Sequence, residues 1–270
     1  MDETILKKIK SLPPLDDTIL KIQRICTDKN SSLNDLVKVV ESDPMLTANI
    51  LKSSNSPLYG FSREIKNISH AISLFGMATV RGFALSSAIK QSMKINLTPY
   101  NITNGRFLEI STYQSALMFN WYTKVDHSLL DILLPASFLM EVGKVVLANI
   151  LMDKNAYAPF LANIKTIRTL PELSMLEYNT YGITSEEVTA KIFEQWNLEA
   201  ELVDAIRFSN NVDNAPIAIQ PLARALHVVK TSVNVFDQLS LISTQNAKAL
   251  VDMYGFDPIL FDEAIQKVTV

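Results

Sequence analysis

Apolar residues recur at every third or fourth position along most of the chain, which is the spacing of one face of an α-helix. The first such stripe consists of Leu15, Ile19, Ile22 and Cys26. Because free cysteine is among the residue types most often buried, we interpret Cys26 as a small core side chain and not as a reactive thiol. Similar stripes follow along the chain, and only 7 glycines and 11 prolines interrupt them. The pattern predicts an all-α fold.

Polar residues mark where several of these helices begin and end. Ser32 and Asp35 have the spacing of a capping box, and Asp43 followed by Pro44 combines an N-cap with proline in the first helical position. We expect the helix that begins at Pro44 to end near Asn55. Gly255 and the pair Asp257-Pro258 repeat these signals near the C-terminus.

A polar connection divides the predicted helices into two groups. Residues 96–105 contain Pro99, Gly105 and several asparagines and threonines, which favour a loop. We therefore predict an N-terminal helical lobe over residues 1–98 and a second lobe over residues 106–270. Gly76 should interrupt the helices of the first lobe. The longer helices are predicted at residues 77–89, 107–121, 130–151 and 186–196.

Composition and charge narrow the class of protein. Lys and Arg total 25 and Asp and Glu total 28 among 270 residues, so a broad basic face for nucleic acid is not expected. No stretch reaches the roughly 18 uncharged apolar residues of a membrane span, and the N-terminus lacks the pattern of a signal peptide. A single cysteine agrees with a reducing compartment. We predict a cytoplasmic protein with no membrane partner.

Side chains that could carry catalysis are sparse. His70, His127 and His227 lie far apart and form no short metal-binding motif, and no G-x-S-x-G segment places a nucleophile. The carboxylate pairs Asp16-Asp17 and Glu186-Glu187 lie at predicted helix N-termini, where the helix dipole favours negative charge. We therefore interpret both pairs as helix caps and not as acid-base catalysts.

The order of several motifs resembles the HDOD domain, the HD-related output domain of bacterial signalling proteins. The motifs of the first half are Leu12-Pro13-Pro14-Leu15, Asp43-Pro44-Met45-Leu46-Thr47, Asn55-Ser56, Tyr59-Gly60, and His70-Ala71-Ile72 with Leu74-Phe75-Gly76. In the second half, residues 138–147 are similar to the helix that carries "LLHDIGKLVL" in the family. The resemblance covers about residues 11–235. It implies an HD-like multi-helix bundle in which an N-terminal lobe packs on a degenerate HD core, and a regulatory or protein-interaction role.

In catalytic HD relatives, histidines and aspartates hold one or two metal ions that activate water. The corresponding positions of this chain are occupied by Ile110, Glu141, Val142, Ser185, Ser209 and Lys230. Isoleucine and valine have no lone pair to give a metal ion, and an ammonium group repels one. One carboxylate with two hydroxyl groups falls short of the three or more good ligands of a catalytic site. The substitutions predict no catalytic residue, no metal and no cofactor.

Two hypotheses concern the residues that remain at this site. If Glu141 and Lys230 converge, the carboxylate and the ammonium would neutralise one another where the metal ion lies in the catalytic relatives. Gly143 and Lys144 survive from the family motif, and we interpret them as architectural, with Lys144 extending from its helix towards solvent.

The motif positions outside the HD site admit two interpretations. These positions are Pro13, Pro14, Asp43, Pro44, Asn55, Ser56 and Gly76. They could form a recognition surface for a partner, or they could cap and clamp helices. We favour the structural interpretation because aspartate and asparagine at helix ends bind free backbone groups.

Two classes of function follow from the sequence. We predict a non-catalytic cytoplasmic signalling protein that presents a groove to another signalling protein or to a small ligand. The alternative is a divergent HD-type metal-dependent phosphohydrolase or nucleotide-binding enzyme, in which Glu141 would hold a cation with His127 or His227. Because the resemblance occupies about 225 of the 270 residues, we expect no receiver, kinase or cyclic-nucleotide synthesis domain in this chain.

Overall fold

The computed structural model describes residues 3–28 and 30–269. In this part of the chain the backbone forms fifteen α-helices joined by short turns and 3-10 segments, and it contains no β-strand. The all-α prediction is therefore confirmed.

The first five helices precede the predicted connection. They are α1 Glu3–Lys10, α2 Asp17–Thr27, α3 Leu33–Glu41, α4 Pro44–Ser54 and α5 Ile68–Ser92. The predicted caps are present: Ser32 and Asp35 close a capping box at α3, and the carboxylate of Asp43 accepts hydrogen bonds from the Met45 and Leu46 amides at 2.9 and 3.0 Å. Local polar side chains thus determine where these helices begin.

Helix α5 bends at Gly76, as predicted. The glycine has φ 78° and ψ 165°, a left-handed conformation that side chains disfavour, so the segment consists of two helices joined at this residue. Residues Ile68–Gln91 have a mean hydropathy of 1.4 in their most apolar window, and 67% of that window is buried inside the protein. This segment is long and apolar enough to cross a membrane, yet its apolar side chains pack against neighbouring helices.

Ten further helices follow the connection. They are α6 Asn104–Val125, α7 Leu130–Leu139, α8 Val142–Asp153, α9 Tyr157–Ile164, α10 Leu170–Tyr181, α11 Ser185–Gln195, α12 Ala200–Arg207, α13 Gln220–Ser232, α14 Leu241–Tyr254 and α15 Pro258–Thr269. Gly255 ends α14 with φ 73°, and Asp257 caps α15 through the Ile259 amide at 2.8 Å. Both features agree with the sequence prediction.

The prediction of one continuous helix over residues 130–151 is wrong. The helix breaks after Leu139 and resumes at Val142, so that Met140 and Glu141 lie between α7 and α8. The hydroxyl of Thr189 accepts a hydrogen bond from the Gly143 amide at 2.8 Å, and it can donate its proton to the Ser185 carbonyl at 2.9 Å or to the Met140 carbonyl at 3.2 Å. A residue of α11 therefore binds backbone groups on both sides of the break.

One continuous core extends through both predicted lobes. Helix α5 packs against α7, and a Cβ added to Gly82 would lie 2.9 Å from the Cβ of Pro135. Near the C-terminal end of α6, the ring of Trp121 packs edge to face against Phe261 of α15, with 5.0 Å between the ring centroids. Tyr100, which lies within the predicted connection, is itself buried.

Candidate functional site

Five ionisable side chains are buried together beside helix α8. They are Glu141, Lys144, Glu177, Glu186 and Lys230, which we call the charge network, and none is more than 2% exposed. They come from the start of α8, α8 itself, α10, α11 and α13. Buried charges are rare in proteins unless they are paired, so the arrangement of their partners decides what this site can do.

Ion pairs connect four members of the charge network. The Lys144 ammonium lies 2.5 Å from Glu141 Oε2. The Lys230 ammonium is in contact with Glu186 Oε1 and lies 3.8 Å from Glu141 Oε1. Each lysine is therefore closest to a different glutamate, and Glu141 lies between the two ammonium groups.

Two side-chain amides donate hydrogen bonds to the carboxylates of Glu141 and Glu186. Gln114 of α6 donates from Nε2 to Glu141 Oε1 at 3.0 Å and to the Val233 carbonyl at 2.9 Å. Asn210, which follows α12, donates from Nδ2 to Glu186 Oε1 at 2.9 Å. Hydrogen bonds to a charged carboxylate favour its ionised form.

Glu177 has neutral partners. The Tyr100 hydroxyl donates to its Oε1 at 2.9 Å, and the Ser185 amide donates to its Oε2 at 2.7 Å. The hydroxyl of Ser185 in turn accepts a hydrogen bond from Lys144 at 2.9 Å. Lys144 also lies 6.0 Å from the centroid of the Tyr100 ring. The third glutamate is thus connected to Lys144 through Ser185 and Tyr100.

The charge network perturbs the pKa of each glutamate. Burial alone would raise the pKa of Glu186, but the Lys230 and Lys144 ammonium groups outweigh it and hold that pKa at about 2. Burial opposes ionisation of Glu141 in the same way, and Lys144 and Lys230 lower its pKa below the ordinary value. The pKa of Glu177 is raised, because burial and the charge of Glu186 exceed the effect of Lys144.

Close helix packing brings these side chains together. A Cβ built on Gly143 would lie 2.0 Å from the Ser185 carbonyl oxygen and 2.9 Å from the Thr189 amide nitrogen. Only glycine permits α8 and α11 to approach this closely. The approach places Lys144, the next residue of α8, against Ser185.

The structure unites three of the six positions predicted from the HD pattern, namely Glu141, Ser185 and Lys230. Glu141 and Lys230 are within ion-pair distance, although Lys144 and Glu186 are their nearer partners.

The other three positions lie around the network as buried side chains. Ile110 lies on α6 one turn before Gln114, and Val142 begins α8. Ser209 donates to the Ile206 carbonyl at 2.8 Å, and it is the next residue, Asn210, that reaches Glu186.

Two expectations for this site are corrected. Lys144 does not extend towards solvent, because it is 1% exposed and paired with Glu141. Glu186 is not a helix cap: its neighbour Glu187 closes the capping box with Thr184, whereas Glu186 points into the charge network.

Sequence reasoning missed part of the network. The residues it missed are Tyr100, Gln114, Glu177 and Asn210. For Glu186 a signal was available, because its spacing to Ala190 and Phe193 places it on the apolar face of α11.

The remaining motif positions shape the N-terminal helices. Pro13 and Pro14 are exposed in the segment before α2, and Asp43 and Pro44 begin α4. Asn55 donates from Nδ2 to the Ile65 carbonyl at 2.8 Å and accepts from the Ile65 amide at 2.7 Å, so it clamps the loop after α4. Ser56 precedes a 3-10 turn within that loop and makes no side-chain capping bond.

The model of the HDOD domain family matches residues 12–212. The chain belongs to the HDOD domain family. The match covers the network residues up to Asn210 and leaves Lys230 outside it. The sequence resemblance predicted this family on the motifs of its N-terminal half, and that prediction is confirmed.

Solved structures share the HDOD fold over nearly the whole chain. A virulence factor from Campylobacter jejuni is 26% identical with a TM-score of 0.61, and the alignment covers 100% of this chain and 99% of that one. A Marinobacter aquaeolei protein, provisionally described as a signal transduction protein, is 22% identical with a TM-score of 0.67, covering 99% and 62%. A Shewanella amazonensis protein, provisionally described as a phosphohydrolase, is 18% identical with a TM-score of 0.69, covering 98% and 97%. The last two show the fold alone.

A Treponema pallidum protein also matches in sequence, with 22% identity over 249 residues. The alignment covers 87% of this chain and 44% of that protein. The chain thus spans less than half the length of this curated relative and less than two thirds of the Marinobacter protein.

The residues at the HD position of this HDOD protein do not fit a divalent metal ion. Two ammonium groups lie among the carboxylates that could serve as ligands, and Ile110 and Val142 offer no donor atom. Within residues 3–28 and 30–269, no three His, Cys, Asp or Glu side chains are arranged to hold a metal. His70 and His127 are exposed, and His227 Nδ1 lies 2.7 Å from the Tyr254 hydroxyl.

Proposed function

We propose that this HDOD protein is a non-catalytic regulator that acts in the cytoplasm by binding another signalling protein or a small ligand. Membership of the HDOD family supports a signalling role. The proposal goes further by excluding phosphoester hydrolysis, and this exclusion rests on the charge network.

The observation that carries the proposal is the position of Lys144 and Lys230. Their ammonium groups pair with Glu141, the one carboxylate at an HD metal position, and with Glu186 of the same charge network. A divalent cation would have to displace both lysines from these carboxylates, and leaving a buried charge unpaired costs roughly 3 to 5 kcal/mol. The internal cations therefore compensate the carboxylates without an ion that activates water.

Metal analysis combined with an activity assay tests this function. Purified protein is stripped with chelator, dialysed against Mn²⁺ or Mg²⁺, and assayed for metal content and for hydrolysis of bis-p-nitrophenyl phosphate. We expect substoichiometric metal and no turnover above buffer. The matched variant Lys230→Asp removes an ammonium and adds a carboxylate, so it should bind Mn²⁺ more tightly than the natural protein.

Stoichiometric metal in the natural protein, with turnover abolished by Glu141→Ala, would establish the hydrolase alternative and overturn the proposal. The binding role is tested by affinity capture from cells followed by mass spectrometry. We expect a signalling protein to be enriched, whereas enrichment of nucleic acid or membrane alone would contradict the proposed partner class.

A further inference from the structure

A cavity of about 530 Å³ opens beside the charge network. Its walls come from α10, from the first turn of α11 and from the segment that follows α12. Glu186 lines this cavity and also pairs with Lys230, so one residue belongs to both the cavity and the network.

Apolar side chains form one wall of the cavity. Met175 and Tyr178 lie three residues apart on α10 and are 66% and 59% exposed, and the half-buried ring of Phe208 lines the same space. Large apolar side chains that remain exposed beside a concave surface commonly mark a binding site. Two aromatic rings in this wall suit a flat ligand.

Two residues that line the cavity carry a buried oxygen atom without a hydrogen-bond partner. Glu186 is 2% exposed, and its Oε2 atom is buried without a hydrogen-bond partner among the residues described. The Oδ1 atom of Asn210 is buried and equally without a partner in that part of the chain. Buried polar atoms nearly always have a partner, so each such oxygen calls for an explanation.

The orientation of the Asn210 amide is determined by its neighbours. Its Nδ2 atom donates to Glu186 Oε1 at 2.9 Å and to Ser174 Oγ at 3.3 Å. The opposite orientation would place two oxygens against one another, since a carboxylate can only accept. Two residues that line the cavity therefore each have one acceptor oxygen that receives no hydrogen bond from another described residue.

Charge disfavours an anionic ligand. Arg207 is the one cationic residue among the described residues that line the cavity, and its guanidinium is engaged by Glu194 and by Asp204, the latter at 3.1 Å. Glu186 and Glu187 are both among the residues that line the cavity. The cavity thus offers acceptors and negative charge, together with an aromatic wall.

We propose that this cavity binds a small flat organic ligand with two neighbouring N–H donors, of the amidine, guanidine or aminoheterocycle class. Its donors bind Glu186 Oε2 and Asn210 Oδ1, and its ring packs against Tyr178 and Phe208. The proposal rests on the ligand-binding part of the proposed function and specifies the chemistry of the ligand.

Benzamidine is a suitable probe because it combines an aromatic ring with a planar amidinium. Binding to the full chain is measured by titration calorimetry and by NMR, with benzoate as the control that keeps the ring and reverses the charge. We expect benzamidine to bind and benzoate not to bind. Asn210→Leu and Tyr178→Ala should each weaken binding about tenfold, the effect of losing one hydrogen bond or one ring contact.

A pair of methionine variants tests the location. Met175 and Met253 are 66% and 65% exposed, but Met253 lies on α14 outside the cavity. Met175→Ala should weaken benzamidine binding and Met253→Ala should leave it unchanged. Circular dichroism checks that Tyr178→Ala and the two methionine variants are folded. If Asn210→Leu unfolds, the binding measurements on these three surface variants still test the proposal.

The proposal is overturned if the natural protein does not bind benzamidine, if it binds benzoate equally well, or if Tyr178→Ala and Met175→Ala bind as the natural protein does. Its failure is distinct from failure of the proposed function. Metal-dependent phosphoester turnover would overturn the proposed function whether or not benzamidine binds. If benzamidine does not bind and no turnover is found, only the proposed ligand site is excluded.

Discussion

Replacement of Lys230 by methionine tests the charge network most severely. The ammonium of Lys230 is 0% exposed and pairs with Glu186, so Lys230→Met leaves a buried carboxylate whose nearest cation is gone. Methionine has a similar length and no charge, which keeps the change in packing small. The perturbation therefore acts mainly through electrostatics.

The magnitude follows from the pKa of Glu186. The surroundings lower that pKa from its ordinary value of 4.5 to about 2. Since a difference of one pH unit in pKa corresponds to about 1.4 kcal/mol, the folded protein favours the charged form by about 3 kcal/mol. This agrees with the loss of roughly 3 to 5 kcal/mol expected when one partner of a buried ion pair is removed. We expect Lys230→Met to lower the free energy of unfolding by that amount at pH 7.

The pH dependence of the free energy of unfolding provides a second, independent test. In the natural protein, the stabilisation from Glu186 is complete above pH 4.5 and is lost as the pH falls towards 2. Without Lys230, burial raises the pKa of Glu186, so the carboxyl binds a proton more readily in the folded state and protonation relieves the penalty. The difference in stability between the natural protein and the variant should therefore shrink as the pH falls from 7 to 4.

Urea denaturation at several pH values measures both effects. Lys248→Met is the matched control, because Lys248 pairs with Asp262 at 2.8 Å while 44% and 42% of the two side chains are exposed. This exposed pair should contribute less than about 1 kcal/mol. The double variant Lys230→Met/Glu186→Gln should recover part of the loss. A loss for Lys230→Met no larger than for Lys248→Met, with no pH dependence, would refute the reasoning.

Three further changes test other parts of the structure. Gly143→Ala should lower stability by at least about 1 to 3 kcal/mol, because its Cβ would lie 2.0 Å from the Ser185 carbonyl oxygen, and an unchanged melting temperature would contradict the close packing. Asn55→Ala removes hydrogen bonds of 2.8 and 2.7 Å to Ile65 and should cost about 1 to 3 kcal/mol, with faster hydrogen exchange in the loop after α4; unaltered exchange would refute the clamp. Burial lowers the pKa of His227 from 6.5 to about 4, so stability should fall by up to about 3 kcal/mol as the pH falls across that window. His227→Phe should remove this slope in urea denaturation, and an equal slope in both proteins would exclude His227 as its source.

Helix boundaries were predictable wherever they depend on neighbouring residues. Asp43, Gly76 and Gly255 each act on the adjacent backbone, and the structure has a helix end or a kink at all three. The break after Leu139 was not predictable in this way. The backbone on both sides of it contacts Thr189, which lies about fifty residues away and is brought close by the packing of α8 against α11.

The candidate site was predictable only in part for the same reason. The family resemblance identified Glu141 and Lys230 as residues of one site. The sequence predicts local roles for their nearer partners, with Lys144 directed towards solvent and Glu186 in a helix cap, but Lys144 is buried and Glu187 forms the cap. Glu177 joins the network through tertiary contacts that no short motif records.

Anomalous X-ray diffraction from crystals equilibrated with Mn²⁺ tests the central claim most directly, namely that internal ammonium groups compensate the carboxylates at the HD position. We predict no anomalous peak beside Glu141, with the Lys230 ammonium in contact with Glu186 and the Lys144 ammonium in contact with Glu141. A manganese peak bound by Glu141 or Glu186, with either lysine displaced, would contradict the claim.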